Sequence, residues 1–76
     1  MANQHDEEVV LLVDIRALRA QAKIAVIEAA RIIGVGKSTL ERVETGRMPS
    51  LSVALKIAAS YGIPVEQIWG IPEEKG

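Results

Sequence analysis

The chain has no cysteine and no phenylalanine, one histidine, and only two aromatic residues, Tyr61 and Trp69. Without cysteine there is no disulfide framework and no thiolate metal site. The lone histidine, His5, stands in a polar stretch and cannot hold a metal by itself. Long hydrophobic runs are missing too. Val9 to Val13 is far too short to span a membrane, and its flanks are acidic rather than the basic start of a signal peptide. The chain therefore reads as cytoplasmic. Nucleophile–base pairs and paired carboxylates at useful spacing are absent, so no enzyme, cofactor or small-molecule ligand is expected. With so few aromatics, the core must come from aliphatic packing and from close helix approach at alanine. An apolar share of 49% is ample for that.

Seventy-six residues make one small domain. A chain this short buries proportionally little surface, so self-association is a reasonable supplement to its stability. The net charge of −1 is unevenly spread. Asp6, Glu7, Glu8 and Asp14 give −4 over residues 1–14. Arg16, Arg19, Lys23, Arg31, Lys37, Arg42 and Arg47 outweigh Glu28, Glu41 and Glu44 to give +4 over residues 15–47. A basic segment between acidic ends is compatible with nucleic acid despite the acidic total, although a solvated charged surface has the same signature.

The order of elements follows from turn and cap signals. Residues 1–8 read as a flexible acidic tail and 73–76 as a flexible end. Val9 to Val13 has no helical period and reads as a short strand or buried arm, with an extension of the first helix as the competing reading. Asp14 is a good N-cap for a helix from Ile15 to about Ala22, with Ile15, Leu18 and Ala22 facing inward. A second, alanine-rich helix is expected at roughly 25–33, ended by Gly34. A third starts near Gly36 or Ser38, where Ser38 and Glu41 fit a capping box. Gly46 to Pro49 reads as a turn. Ser50 caps a fourth helix with an apolar stripe at Leu51, Ala54, Leu55 and Ala58, and Gly62 ends it. Pro64 opens a short fifth helix through Ile68 or Trp69.

Gly36-Lys37-Ser38 imitates the tail of a phosphate-binding loop. That motif needs glycine at position 31, which is arginine, and a preceding strand where this chain has a helix. The better reading joins residues 25–33 to the helix that follows Gly34-Val35-Gly36. The second of these helices can turn Leu40 and Val43 inward and Lys37, Ser38, Glu41 and Arg42 outward. Two short helices joined in this way form a helix-turn-helix, which places its second helix in the DNA major groove.

From Ile15 to Trp69 the chain resembles the Cro and phage-repressor type helix-turn-helix regulators. The match is carried by Ile15-x-x-Leu18-Arg19, Ala30, Gly34-Val35, Ser38-Thr39-Leu40, Glu44-x-Gly46 and Pro49-Ser50-Leu51-x-x-Ala54-Leu55-Lys56-Ile57-Ala58. Each is weak alone; their joint spacing is specific. The resemblance implies an all-α, compact five-helix, lambda-repressor-like DNA-binding domain over 9–72, with the helix-turn-helix at about 25–45. It implies that Lys37, Ser38 and Arg42 face bases, that Thr39 and Arg47 approach phosphate, and that Arg19 pairs with Glu44 as a structural tie. Glu41 would repel phosphate, accept from a cytosine amino group, or cap the helix start. No metal site is implied.

Two departures from the pattern stand out. Where the family has Ser-Gln at the start of helix two, this chain has Ala25 and Val26, so one phosphate anchor is missing. Val26, Ile27 and Ile32 also make that helix unusually apolar. Either Ile27 fills core space left by Ala29, which stands where the family has leucine, or the patch binds a partner. The expected function is a sequence-specific DNA-binding transcriptional regulator, a homodimeric repressor acting on double-stranded DNA. The alternative is a protein-interaction module of the same fold, an antitoxin-like or antirepressor partner with weak or no DNA binding. The chain ends are expected to pair as a small terminal β-ribbon that gathers Leu11, Leu12, Trp69 and Ile71 into a dimer interface.

Overall fold

The computed structural model describes residues 8–72, so most of the expected tails lies outside it. The elements run β1 (Val10–Leu11), α1 (Ile15–Gln21), α2 (Val26–Ile33), α3 (Lys37–Glu44), α4 (Leu51–Tyr61), α5 (Val65–Ile68) and β2 (Trp69–Gly70). The fold is the all-α, five-helix arrangement with a small ribbon. Among the described residues no helix is long and apolar enough to cross a membrane.

Local chemistry sets most boundaries. The Asp14 carboxylate accepts from the Ala17 N–H at 3.0 Å, which starts α1 and separates it from the arm before it. The ribbon is therefore not an extension of α1. β1 and β2 pair antiparallel, with Val10 opposite Gly70 and Leu11 opposite Trp69. A further bond runs from the Leu12 N–H to the Ile68 carbonyl at 2.7 Å. Gly70 lets Leu12 lie close across the ribbon: a Cβ there would stand 2.9 Å from Leu12 Cδ1 and push that side chain aside. α1 stops at Gln21, so Ala22 is its exposed C-cap and not part of an inward face.

The core comprises Ile15, Ala29, Ala30, Ile33, Leu40, Val43, Ala54, Ile57, Ala58, Ile68 and Trp69. Four of these eleven are alanines, which is how helices come close in a chain without phenylalanine. The stripe expected on α4 is corrected. Leu51 is 73% exposed and Leu55 50%, while Ile57 is fully buried. The reason is a degeneracy in the pattern. Leu51, Ala54, Leu55 and Ala58 have i, i+3, i+4, i+7 spacing, and so do Ala54, Ile57, Ala58 and Tyr61 one turn later. The second set faces the core, with Tyr61 half-buried against it.

α2 is corrected in the same way. It buries Ala29, Ala30 and Ile33, leaving Ile27 58% and Ile32 61% exposed. Ile27 does not fill the space beside Ala29. That space remains a shallow apolar cleft of about 320 Å³, lined by Leu18, Ile24, Ala29, Ile32, Tyr61 and Ile63 among others.

Candidate nucleic-acid interface

Two helices and a tight turn build the candidate site. α2 ends at Gly34, whose φ of 91° is a left-handed conformation that glycine adopts without a Cβ penalty. The Gly34 and Val35 N–H groups both donate to the Ala30 carbonyl, at 2.8 and 3.0 Å. Val35 then packs against the core and Gly36 serves as N-cap of α3. The helix starts at Lys37, so the Ser38–Glu41 capping box does not form: Ser38 is already inside the helix and Gly36 offers no side-chain cap. The Glu41 carboxylate meets the Lys37 ammonium at 3.2 Å instead.

α3 is seated by Leu40 and Val43, both buried in the core. Its opposite side exposes Lys37, Ser38, Glu41 and Arg42. Thr39 is half-buried, nearer the side of the helix than its crest. The Thr45 hydroxyl donates to the Arg42 carbonyl at 2.7 Å, and the Arg47 N–H donates to the same carbonyl at 3.0 Å. These bonds hold the turn after α3 so that Arg47 follows Arg42 closely, with its side chain exposed. Three cations, Lys37, Arg42 and Arg47, thus lie along one short helix and its exit.

The orientation of α3 against α1 is fixed by an ion pair. Arg19 Nε donates to Glu44 Oε2 at 2.7 Å and Arg19 Nη2 to Glu44 Oε1 at 3.0 Å, a two-pronged geometry that fixes direction as well as distance. Arg19 Nη1 also donates to the Ile24 carbonyl at 3.0 Å, so one guanidinium joins α1, the α1–α2 link and α3. Side-chain exposures of 15% for Arg19 and 4% for Glu44 place the pair under the surface. The Glu44 hydrogen bond raises the Arg19 pKa above its ordinary value against the opposing effect of burial, keeping the guanidinium charged. Tyr61, half-buried nearby, has its phenol pKa raised mainly by loss of solvent.

The sequence matches a family model described as helix-turn-helix, of the Cro/C1 type, over residues 15–68. The chain belongs to the Cro/C1-type helix-turn-helix family. Comparison with curated proteins gives no match. This is a family of DNA-binding regulators and not of enzymes, so the helix-turn-helix protein described here is a DNA-binding regulatory domain. α2 and α3 are its two-helix unit, and α3 occupies the recognition-helix position.

Within this helix-turn-helix protein, α3 exposes Lys37, Ser38 and Arg42 on one side, Arg47 is exposed on the turn that follows, and Arg19 is joined to Glu44 below the surface. The expected terminal patch divides. Leu11 packs against the core and Trp69 is only 7% exposed, so both serve the monomer's own interior. Leu12 and Ile71 remain at the surface. The Trp69 indole N–H is buried with no hydrogen-bond partner among the described residues. Sequence reasoning passed over Arg16, which shares a cleft with Val26, Glu41 and Thr45. Only the tertiary approach of α1 to α2 and α3 brings these together, so no local pattern marks it.

Proposed function

We propose that this protein is a sequence-specific transcriptional repressor. It acts in the cytoplasm as a homodimer on a two-fold-related site in double-stranded DNA. The observation that carries the reading is the division of α3: one side is locked into the core by Leu40 and Val43, and the other presents Lys37, Ser38 and Arg42 to solvent. A helix held on its inner side and polar on its outer side can enter the major groove without rearranging the fold. Arg42 reads guanine by two hydrogen bonds to O6 and N7. Lys37, Ser38, Thr39 and Arg47 hold the phosphate backbone or an adjacent base edge. The Lys37 ammonium has three donors, so it can hold a DNA oxygen while it stays against Glu41.

The test is binding to duplex DNA across a series of salt concentrations, followed by selection of preferred sites. Lys37 and Arg47 on two protomers neutralise roughly four phosphates, which gives a log–log salt slope of about −3.5. Arg42→Ala is expected to flatten preference at one or two base pairs, by about 1–3 kcal/mol of discrimination, with the fold intact. Arg19→Ala lowers the melting temperature instead, because it leaves Glu44 buried and unpaired. Absence of binding even at low salt sinks the repressor reading. The exposed Ile27 and Ile32 on α2 support a second reading in that event, a protein-interaction module of the same fold.

A further inference from the structure

Arg16 has no part in the contacts described so far. It is exposed on the first turn of α1, and among the described residues it forms no ion pair. Its surroundings are distinctive. A cleft of about 200 Å³ brings it together with Val26 at the start of α2 and with Glu41 and Thr45 on α3 and its exit. A second, more open cleft places it beside Thr45 and Gly46. Three elements therefore meet around this guanidinium, on the side where α2 begins and α3 carries its polar residues.

The two carboxylates bordering that space are already engaged. Glu44 accepts both prongs of Arg19, and Glu41 lies against Lys37. Arg16 is the cation left for an external anion. The start of α2 offers no side chain of its own to an anion: Ala25 provides no side-chain cap and Val26 has no donor, which leaves its backbone N–H groups alone. A guanidinium presents a planar fork of donors suited to phosphate oxygens.

We infer that Arg16 supplies a backbone-phosphate contact beside the amino-terminal end of α2, gripping a DNA strand that lies across the cleft where α1, α2 and the recognition helix meet. The inference rests on the DNA-binding reading above and adds a third phosphate-contacting cation per protomer to Lys37 and Arg47. Two further phosphates per dimer steepen the log–log salt slope from about −3.5 to about −5.5. Because a phosphate contact carries no base information, the gain is the same on preferred and scrambled duplexes.

The experiment measures fluorescence anisotropy of labelled duplex DNA with the full chain, comparing wild type, Arg16→Gln, Arg16→Lys and Arg42→Ala at several salt concentrations. Arg16→Gln is expected to weaken binding about five- to ten-fold at low salt, equally on both duplexes, and to return the slope to about −3.5. Arg16→Lys should keep the steep slope, since the charge is retained. Melting followed by circular dichroism should coincide for all Arg16 variants, because the side chain is exposed. If wild type binds DNA and Arg16→Gln binds with the same affinity and slope, the inference is overturned while the DNA-binding reading stands. A loss confined to the preferred duplex also overturns it, since that result makes Arg16 a base reader. No binding by wild type on any duplex overturns both.

Discussion

Lys23 is the one described residue other than glycine with a positive φ, 60°, and it sits where the chain leaves α1. Its N–H donates to the Ala20 carbonyl at 2.9 Å, and the Ile24 N–H donates to Arg19 at 3.3 Å. This is the left-handed helix ending that glycine usually occupies. A side chain there costs about 1–2 kcal/mol, and glycine's freer unfolded chain returns about 0.4–1 kcal/mol of that. Lys23→Gly is therefore expected to raise stability by about 0.5–1 kcal/mol, or roughly 3–6 °C in melting temperature. An unchanged or lower melting temperature contradicts the strain. Tyr61 supplies a pH dependence whose sign follows from its raised pKa. Burial favours the neutral phenol in the folded state, so its contribution is complete below the ordinary tyrosine value of 10.0 and is lost as pH rises beyond it. Urea midpoints measured from pH 8 to 11 should fall at the alkaline end. They should fall less steeply in Tyr61→Phe, and equal slopes in the two proteins discount the role of Tyr61.

At the scale of elements, what was legible in the sequence and what was not separate along a physical line. Asp14, Ser50, Gly34 and Gly62 mark helix ends through backbone hydrogen bonds made within a few residues, and the elements begin and end there. The ribbon was legible because Val9 to Val13 is β-branched and breaks helical period. The face of α4 was not, because two interleaved stripes satisfy one periodicity and only packing against the other helices chooses between them. The seat of Ile27 failed for the same reason, since whether a gap beside Ala29 closes is decided by neighbours distant in sequence. On the candidate site, Lys37 and Arg42 were visible as cations on one side of a short helix, and Arg47 followed from the resemblance, in the turn after it. Arg16 was hidden because its partners are tertiary. The register of α4 can be tested directly. Ile57→Ala removes a fully buried side chain and is expected to cost about 2–5 kcal/mol. That is a large part of the total stability of so small a domain. Leu55→Ala, at the surface, should stay within about 0.5 kcal/mol. Comparable losses in urea unfolding of the two variants would return the core stripe to Leu51 and Leu55.

At the scale of the whole molecule, one exposed apolar surface lies near the ribbon. The pairing of Val10 with Gly70 sets Val9 opposite Ile71, two steps beyond the sealed pair Leu11 and Trp69. Val9 also shares an open apolar hollow with Met48, Pro49, Leu51 and Val65, and Val9, Met48, Leu51 and Ile71 are all exposed. A two-stranded ribbon is marginal by itself, and this one rests its inner face on the helices. Its rim and the start of α4 are left with apolar side chains that a second copy of the chain would cover. This is our proposal for the homodimer, with Leu12 and Ile71 carried over from the terminal patch and Leu51 added. Trp69→Ala and removal of residues 1–13 would be poor tests, because both strip side chains from the monomer's own interior. Leu51→Lys and Ile71→Lys are better, since each puts a charge on the exposed rim and leaves the core untouched. Sedimentation at micromolar concentration should show a dimer for wild type and monomers for both variants, with cooperative melting retained. The DNA readout should change with it. A dimer spans two half-sites about 34 Å apart, whereas a monomer engages one, so the variants should bind with roughly half the parent's salt slope. If both remain dimers as tight as the parent, the interface lies elsewhere, and the exposed Ile27 and Ile32 of α2 become the surface to mutate next.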